Sequence, residues 1–397
     1  MNLRRTLMFN VLAGSLIIAL SCEKDVESKI EFNKDVTEKL GATAVTASFY
    51  QNLVMDKTTY DSVKWDTKNN AKAKTMFSNQ LTSKANAAVS NTSLDASNTS
   101  DINAAVTVGN ALYSLGLQYF LYQEASNSAN YINKAKKILL RWASLNKPTS
   151  HTPNESAFLN FIYGYSLIRD RIDATSRTKI DTWLSNRFVY YSRLGVRANN
   201  WETIRNLLML NIAYVLNRSD YISTATNAFT NHRNKNYRSD GFSLDFLGRD
   251  AFAYHTYDLY FAAQIGRTLY IKKGRAELNR FANYRSARWV DIRYKPNSAP
   301  VTGGSFASAI NFMRPYVMDP AKYKHLEFVK TEYAPDKSRS DYNKPYNSAS
   351  SKYVFVEVAA IMKSDMLLFI RKTSTGFDKY SDLKFYLNQF GPKFTKS

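Results

Sequence analysis

The chain has 397 residues, 54 Lys and Arg against 33 Asp and Glu, a formal charge of +21 and one cysteine, Cys22. A lone cysteine excludes an internal disulfide and a multi-thiolate metal site, and the cationic excess directs attention to polyanions: nucleic acid, anionic lipid or acidic polysaccharide. About 375 residues follow the leader-like N-terminus, enough for one large all-α domain or two smaller ones.

Met1-Asn2-Leu3-Arg4-Arg5, an apolar run over 7–20 and then Ser21-Cys22 have the three-part form of a secretory signal, too short for a permanent span. Ala19-Leu20-Ser21 before Cys22 resembles a bacterial lipobox, so the expectation is a signal over 1–21 and lipidation at Cys22; the bland alternative is an ordinary signal with a chance cysteine. Loss of Arg4 and Arg5 takes the charge from +21 to +19. The expected location is the cell envelope, as a lipoprotein of the periplasm or outer membrane, held to membrane only through that anchor. Such a place favours an anionic polysaccharide as partner over nucleic acid. Residues 22–45, starting Glu23-Lys24-Asp25, read as a tether, and 46–397 as one domain.

From 46 to 90 short apolar patches among Lys, Asn and Thr predict one or two helices, and 90–100, all Ser, Asn, Thr, Asp, Ala and Leu, reads as a loop. Over 102–123, Ala105, Val108, Leu112, Leu115, Tyr119 and Tyr122 recur at three- and four-residue steps, a helical period. A second helix is predicted over 128–145 with Ile132, Ala135, Ile138, Leu139 and Trp142 on one face, ended by Pro148 and Pro153. Helices over 156–169 and 175–191 follow, the latter with Ser176 as a candidate cap. Further helical runs cover 204–216, 251–269 and 276–289, and an apolar helix closes the chain over 353–366. Paired helices of this length predict an all-α fold, an α/α toroid or solenoid rather than a bundle, and the lack of a fixed-period repeat argues against the common solenoid families.

Chemistry-bearing residues concentrate between Asn199 and Tyr260. The stretch holds Asn199-Asn200-Trp201, then His232, Arg233 and Tyr237, then Arg249 to Asp258 with Tyr254, His255 and Tyr257. Amide, guanidinium, phenol and imidazole are the groups that neutralise a carboxylate, remove a neighbouring proton from carbon and protonate a leaving oxygen. His255 titrates near neutrality and suits a base, but consecutive helical residues point about 100° apart, so Tyr254 and His255 line one cleft only near a helix end. Asn199-Asn200 reads equally as a helix cap, and any one of 27 tyrosines as core. Nine cations from Arg267 to Lys295 against Glu277 and Asp291 read either as a binding face or as a solvated one. Val301-Thr302-Gly303-Gly304-Ser305 reads as a flexible loop without phosphate-loop spacing, and no histidine pair has metal-ligand spacing. No cofactor and no metal are expected.

Several pieces in order resemble the alginate lyase family of bacterial polysaccharide lyases. They are Ala129-Asn130-Tyr131 through Arg141-Trp142-Ala143, Asn199-Asn200-Trp201, Asp240-Gly241-Phe242-Ser243 with Arg249 to His255, and Lys324-His325-Leu326-Glu327-Phe328 with Asp336-Lys337. The resemblance implies an incomplete α/α toroid that cleaves a uronate-containing polysaccharide such as alginate by β-elimination. It places the family's active-site asparagine on Asn200, its catalytic tyrosine on Tyr254 and its arginine on Arg249, with His255 beside them. Asn199, Trp201, His232, Arg233 and Tyr257 are the candidate substrate-binding residues. Where the family has histidine after the asparagine, this chain has Trp201, so a non-catalytic glycan-binding lipoprotein on the same scaffold is the alternative expectation.

Overall fold

The computed structural model describes residues 52–197, 199–291, 299–348, 357, 380 and 382–388, which lie within one compact unit, Ala47–Ser397. The leader, Cys22 and the tether lie outside the described residues, as does, apart from Glu357, the helix expected over 353–366. Among the described residues the fold is all-α, and β-pairing is limited to isolated bridges such as Tyr237 with Ser243.

Most helices start where a side chain satisfies the free amides of a first turn. Asp56 caps α1 (Lys57–Asn69) and Asn70 caps α2 (Ala71–Phe77), which runs through a π turn into α3 (Ser83–Ser90). Asp101 caps α4 (Ile102–Leu121), and α5 (Ser128–Leu145) has the bounds its periodicity predicts. A short turn, Thr152–Glu155, leads into α6 (Leu159–Ile168). For α7 (Ala174–Arg193) the cap is Asp173, whose carboxylate accepts from the Ser176 amide at 2.9 Å; the expected cap, Ser176, is the donor. α8 (Asn200–Leu216) ends at left-handed Asn217, and α9 (Ser219–Asn236) follows. Then come α10 (Leu244–Arg249), α11 (Phe252–Lys273) and α12 (Arg275–Asn283). α12 stops short of the expected 289 because Tyr284 turns extended and Trp289 pairs with Val301. The region expected as a flexible loop is thereby pinned, with the Gly304 amide on the Tyr237 carbonyl at 2.7 Å. α13 (Phe306–Met318) and α14 (Leu383–Asn388) complete the set among the described residues.

Burial sorts the helices into two layers. Every residue of α6 except Asn160 is buried, as is every residue of α8 except Trp201. By contrast α5 turns Tyr131, Ala135, Ile138, Leu139 and Trp142 inward and leaves Lys137 in solvent, the one-sided pattern of a helix covering a core. The inner helices α4, α6, α8 and α11 run parallel. Gly116 of α4 meets Gly164 of α6 so closely that an added Cβ would lie 2.6 Å from the Gly164 carbonyl oxygen. Any larger residue there would push the two helices apart. The Tyr163 hydroxyl joins α6 to Asn211 of α8 at 3.2 Å and to Gln264 of α11 at 3.1 Å. Thr203 with Asp258 and Asn211 with Thr268 keep α8 and α11 in the same register. Parallel inner helices thus alternate along the chain with helices that cover them, an arrangement within the all-α class. Its consequence is that the first turns of α8 and α11 lie at one end.

The cations of the 267–295 run divide between surface and core. Arg280 pairs with Glu277 at the surface, whereas Arg267 is 7% exposed and lies 3.5 Å from the buried carboxylate of Glu357.

Candidate active site

The first turn of α8 is held by carboxylate and amide. The Asn199 side chain accepts from the Trp201 amide at 3.2 Å and so acts as the helix cap. Asn200 is 2% exposed; its amide N–H and Nδ2 donate to Asp245 at 2.7 and 3.2 Å, and its Oδ1 has no partner. Resemblance gives Asn200 the task of binding substrate carboxylate; here its side chain gives one N–H to Asp245. What it does here is fix α10 against the start of α8, and α10 carries Arg249.

α10 ends at Asp250, in the left-handed region with φ 49°, and after Ala251 the chain enters α11 at Phe252. That sharp junction brings Arg249 back over Tyr254. The guanidinium carbon lies 4.1 Å from the ring centroid, and Nη2 donates to the Tyr254 oxygen at 3.0 Å. Residues 325–341 dock on the same junction: the Phe328 amide donates to the Asp250 carbonyl at 2.8 Å and the Glu332 amide to the Gly248 carbonyl at 3.0 Å. The docked segment supplies Asp336, which takes two N–H groups of Arg249, and Arg339, whose Nη1 reaches the Tyr254 oxygen at 3.5 Å. Arg339 is itself held by Asp341 at 2.9 and 3.1 Å.

The Tyr254 oxygen therefore accepts from two guanidinium groups. Its own proton has no protein acceptor among the described residues. Burial raises the hydroxyl above its ordinary value while Arg249 and Arg339 pull it down, and burial prevails. The phenol keeps its proton at neutral pH and is placed to act as an acid. When the proton leaves, the phenolate forms between two cations already in place, with no rearrangement to wait for.

His255 faces the other way. It is fully buried, its Nδ1 and Nε2 lie 2.9 Å from Ser243 Oγ and 3.1 Å from the Ala309 carbonyl, and Phe246, Phe252 and Phe312 surround its ring. Burial brings its pKa down to about 4. A buried, neutral imidazole with both nitrogens engaged orders the core; it does not take a substrate proton. Glu327, at the same junction, accepts from the Phe252 and Ala253 amides at 2.9 Å each and satisfies the first turn of α11.

The other candidates scatter. Trp201, partly exposed, has the His151 ring 4.6 Å and the Arg197 guanidinium 4.4 Å from its own centroid. An imidazole from a distant segment thus lies against the residue that replaces the family's histidine. Thr203 is one turn after Asn199 and Tyr254 one turn before Asp258, so the Thr203–Asp258 bond puts Trp201 and Tyr254 at the same end of the α8–α11 pair. His232 lines a separate pocket with Arg197 and Lys235. Arg233 is drawn off to Tyr284, 3.8 Å over its ring, and Tyr257 packs edge-on against Phe261 at 5.0 Å. Asp336 and Asp341 are paired with Arg249 and Arg339. Among the described residues no group of three or more His, Cys, Asp or Glu is placed to hold a metal ion.

The alginate lyase family model matches residues 53–284, more than half of the chain, and the chain belongs to that family. No curated protein matches it.

Proposed function

We propose that the protein cleaves an acidic, uronate-containing polysaccharide such as alginate by β-elimination, with Tyr254 as the acid that protonates the leaving glycosidic oxygen. The observation that carries this reading is the Tyr254 oxygen accepting from Arg249 at 3.0 Å and Arg339 at 3.5 Å with its proton left unspent. In the reaction the C5–H bond breaks with its proton passing to solvent water, its electrons form the C4–C5 double bond, and the C4–O bond breaks as the oxygen takes the Tyr254 proton. The difficult step is the loss of the C5 proton, because the adjacent carboxylate must be neutralised before charge can build there. Arg249 and Arg339 supply positive charge at that point, and their pairing with Asp336 and Asp341 holds them oriented. The family membership supports the class of reaction.

Incubation with alginate, glucuronan and glycosaminoglycans, followed in the absorbance band of unsaturated uronates, tests the reading. A gain on at least one polyuronate is expected; no gain on any overturns it. A second reading, a surface protein that binds anionic glycan without cutting it, is favoured by one observation: Asn200 is buried and gives one side-chain N–H to Asp245. Binding of a polyuronate with no change in its chain length would select it.

A further inference from the structure

A pocket of about 210 Å³ opens between the end of α7, the start of α8 and the face of α9. At roughly 10–15 Å³ per water it has room for more than ten waters, so a sugar ring is not excluded by size. Its lining brings together Arg197, Arg205, Lys235 and His232, with Glu202 as the acid. Glu202 is already used: Arg205 binds one of its oxygens and the Arg197 amide binds the other at 3.1 Å. Lys235 and the Arg197 guanidinium have no carboxylate partner among the described residues, so the pocket carries unspent positive charge. Arg205, 4% exposed, has an Nε with no acceptor.

The imidazole adds a second requirement. Thr203 gives its one hydroxyl proton to Asp258, which also accepts from Asn236 at 2.9 Å and Tyr237 at 2.8 Å. With its proton committed, Thr203 Oγ1 accepts from His232 Nε2 at 2.7 Å, which fixes the proton of the neutral ring on Nε2 and leaves Nδ1 as a bare acceptor. Nδ1 has no protein partner among the described residues. Burial together with Arg205 and Lys235 keeps the ring neutral, with its pKa down to about 3. The pocket thus offers cations for one acidic group and an acceptor for a hydroxyl. A plain anion answers only the first, whereas a sugar acid answers both. Arg197 forms the pocket wall and also lies on Trp201, which continues the surface with an aromatic face.

We propose that this pocket is a second carbohydrate site, which takes one sugar-acid residue with its carboxylate between Arg197 and Lys235 and a hydroxyl donating to His232 Nδ1. The inference rests on the reading of the substrate as an acidic glycan, but its test does not depend on cleavage. Calorimetric titration of the Tyr254→Phe variant with sodium glucuronate, with glucose, acetate and inorganic phosphate as comparisons, should show glucuronate binding tighter than all three. Lys235→Ala, an exposed position, should weaken glucuronate about 10- to 100-fold, the loss of one charged hydrogen bond. Acetate or phosphate binding as tightly as glucuronate would show an adventitious anion site and overturn the proposal. So would glucuronate binding that Lys235→Ala leaves intact but Arg339→Ala removes, which would put the sugar at Tyr254 and leave the lyase reading standing. Conversely, glucuronate lost on Lys235→Ala in a protein that cuts no polyuronate would keep the pocket and sink the lyase.

Discussion

Replacing Tyr254 by Phe removes one oxygen and keeps the ring against Phe328, whose centroid is 5.9 Å away, and under the Arg249 guanidinium at 4.1 Å. Both arginines that lose an acceptor keep their carboxylates, Asp336 and Asp341, so neither is left as an unpaired charge. The stability loss therefore falls at the low end for a hydrogen bond, about 1 kcal/mol, a small shift in the unfolding midpoint. Turnover is different. If the hydroxyl is the proton donor, the general-acid contribution of roughly 10²–10⁴-fold disappears, which corresponds to about 3–5 kcal/mol on the barrier. The assay is the rate of absorbance gain on whichever polyuronate the native protein cleaves, alongside a thermal melt and a binding titration on the same preparation. Wild-type turnover in Tyr254→Phe would refute the assignment and return Tyr254 to the core tyrosines.

Arg339→Ala removes the longer of the two charged contacts to Tyr254, at 3.5 Å; at the weak end of such bonds, about 1.5 kcal/mol, turnover should fall roughly tenfold, and an unchanged kcat would remove Arg339 from the site. His255→Gln should lose one of the bonds to Ser243 and Ala309 and cost about 1–3 kcal/mol in a melt, with turnover per folded molecule unchanged; a collapse of turnover in a fully folded variant would reinstate His255 as the base. Burial pushes the Glu327 carboxyl from 4.5 up to about 7. Across that window the folded chain holds a proton that the unfolded chain has released, so stability present below pH 4.5 is lost as pH rises through 7, by at most about 3 kcal/mol. Glu327→Gln, neutral throughout, should flatten the midpoint-against-pH curve between those values, and an unaltered slope would contradict the shift.

The elements legible in the sequence were those with a one-sided apolar period. α5 has the bounds its stripe predicts because a helix covering a core must alternate faces. The start of α8 was legible only in part: Asn199 is the cap its side chain suggested, but the helical run read from the sequence begins at 204, and the turn before it is buried because Asp245 and Asp258 arrive from elsewhere to satisfy it. The pair Arg249 and Tyr254 could be found because five residues separate them on one turn-and-helix junction. Arg339 reaches Tyr254 from 85 residues further on and Asp336 reaches Arg249 from 87, and nothing local marks their destination. The one signal was the piece from Lys324 to Lys337 in the family's order, which placed the segment near the site without saying which side chain touched the tyrosine. The 100° step between Tyr254 and His255 already implied that one of them turns away; the Ser243 and Ala309 contacts decide which.

The central claim is elimination, and the reaction run in heavy-oxygen water tests it most directly. Mass spectrometry of the products from a cleaved polyuronate should show new non-reducing ends lighter by one water and no heavy oxygen incorporated through chain cleavage. Saturated products carrying one heavy oxygen per bond cut would mean that water, and not a C5–H bond, is consumed, and would contradict the account.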